Sequence, residues 1–206
     1  MDFYEVINRR HTIRDFADRE VPGEVVERIL GAGLKAPTNN HLREWEFVVL
    51  RGREHIATIL AGVAGNTEMQ LENVRANADM DKGARAMYLE AVPKQVRMLS
   101  DSGCLILPFY RQRGDLLRPA AQNALNAFAG AWCCIENILL AATAEGLGCS
   151  LRVPVGDEPA HVGRHVKAPE GYVMPCYIGL GYPAEDAAAV EQPTIDIKAR
   201  IHSETW

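Results

Sequence analysis

Near the amino terminus Phe3, Val6 and Ile7 recur at helical spacing behind Asp2, a residue suited to cap a first turn. This predicts a short helix that gives way to the basic cluster Arg9-Arg10-His11. Pro22 stands where a helix takes proline as its first residue. Val25, Val26, Ile29, Leu30 and Leu34 then repeat with helical period as far as Pro37. Glu46 to Leu50 is a short β-branched run closed by Arg51-Gly52, which predicts a strand. From Glu54 to Leu99 the helical pattern is weak, and Gly62, Gly65, Gly83 and Pro93 are expected to break it into pieces. Cys104 to Tyr110 predicts another strand, ahead of an arginine-rich polar loop.

The stretch from about Asn123 to Glu145 is apolar on almost every side and ends at Gly146, which predicts a long helix inside the molecule or against a partner subunit. Cys149 to Val155 and Val173 to Leu180 are further strand candidates, separated by a helical segment around Val162 and Val166. About four strands among several helices, without clean alternation, favour α+β layers over a doubly wound parallel sheet. Ala184 to Trp206 has no core pattern of its own and is expected to lie across a partner subunit.

Composition narrows the picture. A chain of 206 residues suits one domain, and 48% hydrophobic with 24% charged residues is ordinary globular usage. A net charge of -5 gives no footprint for nucleic acid. The five cysteines form neither a Cys-x-x-Cys pair nor zinc-ligand spacing, so they read as reduced thiols. The first residues lack a basic stretch followed by an apolar one, so a cytoplasmic setting is expected. Asn126, Glu136 and Asn137 interrupt the one segment that resembles a membrane span, which reads as a core helix.

Several chemistries can be weighed. Gly31 to Ala36 and Gly179 to Ala184 both spell G-x-G-x-x-A. The first closes a helix and the second meets Pro183, so neither has the strand–turn–helix setting of a dinucleotide site. His161 and His165 share a helix face but lack a third metal ligand, and no metal is expected. The cluster Arg9-Arg10-His11-Thr12-Ile13-Arg14 gathers guanidiniums, an imidazole and a hydroxyl, groups that suit a phosphate; a solvated charged face is the other reading.

Arg10 to Phe16 resembles the opening R-x-[ST]-x-[RK]-x-F signature of the FMN-dependent nitroreductase family. Ala36-Pro37-Thr38-Asn39-Asn40-His41-Leu42-Arg43-Glu44-Trp45 resembles the family's A-P-S-x-x-N-x-Q-P-W segment. Asn137 to Ala142 with Gly146-Leu147-Gly148, and Pro169-Glu170-Gly171-Tyr172 with Leu180-Gly181-Tyr182-Pro183, are similar to its later landmarks. The four occur in the family's order over nearly the whole chain.

The resemblance implies a nitroreductase-like layered α/β/α fold of the α+β class. Its central sheet would be mixed but mainly antiparallel, its central helix long and buried, and its homodimer intertwined. It implies bound FMN, reduced by NAD(P)H and reoxidised by a small-molecule acceptor such as a nitroaromatic, quinone or enone, in a ping-pong cycle. Arg10, His11 and Thr12 would hold the phosphate and ribityl end, and Arg14 the pyrimidine edge. Pro37, Thr38, Asn39, Asn40 and His41 would reach the flavin of the partner subunit. Pro154, Val155 and Gly156 would present a backbone N–H to flavin N5, and Lys198 with Arg200 would clamp the phosphate. No side chain is expected to act as nucleophile or essential base, because the cofactor carries the hydride chemistry. The chain departs from the family at His41, Arg43 and Glu44, and residues 66–97 align with nothing. Reductive dehalogenation, flavin breakdown and flavin binding without turnover remain alternatives.

Overall fold

The structure, a computed structural model, describes residues 1–188 and 194–206. Helix α1 spans Phe3–Arg9, with the Asp2 carboxylate accepting from the Glu5 N–H, and α2 spans Gly23–Gly33 with Pro22 as its cap. Strand β1, Trp45–Leu50, is followed by α3 (Arg53–Ala76), α4 (Lys82–Lys94) and α5 (Arg97–Ser100). Then come β2 (Cys104–Arg111), α6 (Asn126–Ala144), β3 (Gly148–Arg152), α7 (Glu158–Val166), β4 (Tyr172–Val173) and β5 (Tyr177–Gly181).

The strands form one five-stranded sheet, with the order β1-β2-β5-β3 and β4 paired to β2 beyond β5. Every ladder between these strands is antiparallel. The parallel component of the expected mixed sheet is, among the described residues, the isolated Thr12–Cys149 bridge.

Strand β2 alternates strictly between two faces, and this builds the layers. Cys104, Ile106 and Tyr110 enter a core with Ile29 of α2 and Ile135 and Ile138 of α6. Leu105, Leu107 and Phe109 enter a second core with Ile59 and Val63 of α3, Leu99 of α5 and Val162 of α7. The sheet thus carries helices on both faces, as the resemblance implies.

Three expectations needed correction. Helix α3 runs unbroken through Gly62 and Gly65, because Ile56, Ile59, Leu60, Val63, Leu71 and Val74 supply a buried stripe along its length. Packing against the sheet outweighs the roughly 1 kcal/mol that each glycine costs. Pro93 falls in the last turn of α4 and does not break it. The single strand expected over Val173 to Leu180 is two strands. Between the Ile106–Ile178 and Tyr110–Val173 pairs β2 advances four residues and its partner five, a bulge at Met174-Pro175-Cys176. Pro175 has no N–H to give to a ladder, which is why the interruption lies there.

Helix α6 buries Gly130, Ala131, Cys134, Ile135, Ile138 and Ala142, while Ala129, Cys133 and Glu136 form an outward stripe. The 122–144 stretch is the one helical segment among the described residues long and apolar enough to cross a membrane; its inner side packs on α2, β2 and β3. Of the expected extension 184–206, residues 189–193 lie outside the described residues. Ile195, Ile197, Ile201 and Trp206 in the remainder are all exposed.

Candidate active site

The basic segment after α1 is held beside the sheet by backbone bonds. Ile13 N–H donates to the Cys149 carbonyl at 2.9 Å, Ala17 N–H to Tyr182 at 2.9 Å, and Ala184 N–H to Asp15 at 3.1 Å. The close of β5, Gly181-Tyr182-Pro183, is therefore structural: Phe16 bridges Pro183, and a Cβ on Gly181 would meet a Phe16 ring carbon at 2.9 Å. The Arg19 guanidinium stacks 3.6 Å over the Tyr182 ring.

This anchoring fixes the expected cofactor residues. Arg10 is partly buried and its nearest carboxylate, Glu136 of α6, is 3.8 Å away. The His11 ring is tied to the Arg9 carbonyl at 2.7 Å. Arg14, half-buried, lines a cavity of about 460 Å³ together with Leu151, Arg152, Val153 and Val155 at the end of β3. Thus Arg14 and Val155, the middle residue of the turn at Pro154, Val155 and Gly156, line one cavity. The far wall comes from α3 and α4, including Asn73, Met87 and Tyr88, within the region that matched no motif.

The segment Pro37 to His41 lies elsewhere. Thr38 and Asn39 line two other cavities, of about 260 and 250 Å³, which include neither Arg14 nor the 153–156 turn. Asn40, His41 and Arg43 all have positive φ, of 52°, 55° and 46°, an uncommon conformation that marks a tightly specified loop. The departures from the family pattern hold this loop. Arg43 Nε–H donates to the Leu34 carbonyl at the end of α2 at 3.2 Å, and Glu44 takes a forked pair of bonds from Arg113 at 2.6 and 2.7 Å. The Arg113 guanidinium keeps the Glu44 carboxyl below the usual carboxylate range. Asn137 of α6 donates to the Ala32 carbonyl at 3.3 Å, beside the Lys35 N–H that the same oxygen accepts at 3.1 Å, and so ties the end of α2 to α6.

Lys198 and Arg200 sit on an exposed 3-10 turn, and no hydrogen bond joins either side chain to the Arg14 cavity among the described residues. His161 and His165 bond to the backbone carbonyls of Thr58 and His161, and no metal-ligand cluster occurs among the described residues.

The sequence reading missed the polar group behind the cavity. Arg152 and Glu158 form a two-bond ion pair, one of its bonds 2.7 Å, with both side chains essentially inaccessible. Glu158 also accepts from Asn66 at 3.0 Å and from the Tyr177 hydroxyl at 3.3 Å, while Arg152 Nε–H donates to Gln95 at 2.8 Å. The pair straddles the Pro154 to Gly156 turn and pins both its ends. Two charges separated by six residues resemble surface charges in a one-dimensional reading, and only their burial reveals them.

The Nitroreductase family model matches residues 7–182. The chain belongs to this family. It is 30% identical over 209 residues to a Methanothermobacter thermautotrophicus protein provisionally named NADH dehydrogenase/NAD(P)H nitroreductase, covering 100% of this chain and 88% of the relative. Among solved structures it superposes on an iodotyrosine deiodinase bound to FMN and 3-iodo-L-tyrosine with TM-score 0.78, at 17% identity and with 98% and 99% of the two chains covered. An FMN and NADPH-dependent nitroreductase from Sphigopyxis sp. strain HMH gives 0.76 at 17% identity, with 100% of both chains covered. At such identities these likenesses establish the fold, and the family membership makes the protein a nitroreductase-family oxidoreductase.

Proposed function

We propose that this chain is an FMN-dependent oxidoreductase that passes electron pairs from NAD(P)H to a small nitroaromatic, quinone or enone, and that it works as a homodimer with two sites shared between subunits. The observation that carries this is the cavity of about 460 Å³ joining Arg14 to the β3 end, with the Pro37 to His41 loop placed apart on the same chain. A site that needs both parts is completed by a second copy. Exposed Phe3 and Tyr4 on α1 and the small-residue stripe of α6 offer apolar surface for that contact.

The residues fit the cofactor. A fixed cation, a wide apolar wall and a turn at Gly156 with open space above its Cα suit a planar, anionic heterocycle. Arg10 and Thr12, with Lys198 and Arg200 from the tail, would hold its phosphate. FMN, when bound, supplies two-electron hydride chemistry. Arg14 would stabilise negative charge developing at the pyrimidine edge. The 154–156 backbone would orient the ring, and Met87 and Tyr88 would exclude water. One cavity admits one partner at a time, which supports a ping-pong order in which NAD(P)H leaves before the acceptor enters.

The test is the visible spectrum and native mass of the purified protein, followed by NADPH oxidation with and without benzoquinone. A yellow dimer that releases FMN and shows quinone-stimulated turnover is the expected result. A protein that stays colourless after incubation with FMN overturns the reading. A yellow protein that NADPH does not bleach would instead be a passive flavin binder.

A further inference from the structure

Gln95 caps the end of α4 and is one of the residues lining the Arg14 cavity. Its amide oxygen accepts the Nε–H of Arg152 at 2.8 Å. Arginine can only donate, so the oxygen must be the atom facing it. The remaining amide group is then an NH2 turned away from the pair, and it finds no acceptor among the described residues. Arg152 cannot release this grip easily, because Glu158 holds its other two nitrogens and is itself held by Asn66 and Tyr177. A surface glutamine samples many rotamers and both amide flips. This one is presented in one orientation by a buried ion pair.

The rest of the lining agrees with a site that donates. Arg14, Gln70, Asn73, Tyr88 and Arg152 are its other polar members, and no carboxylate lines it among the described residues. We propose that the Gln95 NH2 is a specificity-determining donor for a carbonyl, quinone or nitro oxygen bound in this cavity. That oxygen belongs either to the acceptor or to a pyrimidine carbonyl of the cofactor, and the chemistry is the same. The inference rests on the FMN oxidoreductase reading above and assigns a recognising residue within the region that matched no motif. Such a site favours neutral or anionic oxygen-bearing aromatics over substrates with an ammonium group, for which it offers no counter-charge.

The test uses the oxidised holoenzyme and two variants that separate the donor from its support. Gln95→Glu keeps an oxygen for Arg152 and loses the NH2, whereas Gln95→Met loses both. Benzamide, a neutral and redox-inert carbonyl probe, is titrated against the flavin spectrum, and the FMN dissociation constant is measured by fluorescence of released FMN. Benzamide binding weakened by about threefold to tenfold in both variants, the loss of one hydrogen bond, is the expected result. FMN binding weakened by the same factor in both variants, with benzamide unaffected, would equally support the donor and place its oxygen on the cofactor. Gln95→Glu matching the wild type on both measurements, with or without a defect in Gln95→Met, overturns the proposal and leaves Gln95 a support for Arg152. A wild-type protein that takes up no FMN fails earlier, at the oxidoreductase reading itself.

Discussion

Arg152 and Glu158 are joined by two hydrogen bonds in the interior, across a turn whose backbone borders the cavity shared with Arg14. Charges taken out of water are tolerated only when geometry and further hydrogen bonds compensate, and here Asn66, Tyr177 and Gln95 take up the remaining valences. Removing one member leaves the other charged and unpaired. Glu158→Ala is expected to lose about 3–5 kcal/mol in urea unfolding, while the double change Arg152→Met with Glu158→Leu recovers most of that loss. A single variant within about 1 kcal/mol of wild type would show that water reaches the pair.

Gly148 lies against Ile13, and a Cβ there would come within 2.5 Å of the Ile13 side chain. Ile13 is buried between Thr12 and Arg14 in the segment bonded to Cys149. Gly148→Ala should therefore cost about 1–3 kcal/mol by overpacking and also displace the basic segment. Calorimetry and an FMN titration of the same variant test both effects. Lost stability with unchanged FMN affinity would argue against Arg10, Thr12 and Arg14 as cofactor ligands.

Arg14 is the one cation lining the cavity without a hydrogen-bonded carboxylate partner among the described residues. Arg14→Ala should lower the FMN midpoint potential by roughly 30 mV or more, equivalent to about 1.4 kcal/mol for a two-electron couple. Arg14→Lys should recover most of the shift. Dye-equilibration titration measures it, and an unchanged potential in the alanine variant removes Arg14 from the pyrimidine edge.

Burial pushes the thiols of Cys104, Cys134 and Cys149 up from the ordinary 9.0 to about 11, 12 and 12. A folded-state value above the unfolded one means that the unfolded chain loses its protons first. The stabilisation is whole below about pH 9 and is lost as pH rises through 11–12, at about 1.4 kcal/mol per pH unit for each thiol. Urea midpoints should accordingly fall between pH 9 and 10.5, and Cys149→Ala should flatten the fall. At pH 8 a soluble alkylating agent should spare buried Cys104, Cys134, Cys149 and Cys176 in the native protein. Rapid loss of all five thiols in the native protein would contradict this burial.

Removing the basic pair of the tail tests its role directly. Lys198→Ala with Arg200→Ala should weaken FMN binding about tenfold by taking away phosphate contacts, with the oligomeric state unchanged. Unaltered affinity would leave the phosphate to the segment after α1 alone.

Local signals determined much of this molecule. The helical repeat of Val26 and Ile29 and the apolar runs of β2 and α6 each depend on neighbours a few residues away, so local pattern located them. The basic cluster from Arg10 to Arg14 was legible because its donors are contiguous. The continuity of α3 through two glycines was not, since it depends on the facing strand Leu105 to Phe109, which supplies the burial that propensity lacks. Nor could the sequence show that Arg43 and Glu44 brace a loop, or that Gln95, Arg152 and Glu158 converge behind the cavity. Their partners are brought close by long-range packing, and a charge or an amide acquires its role from its burial and from the atom it faces, both of which only the tertiary structure decides.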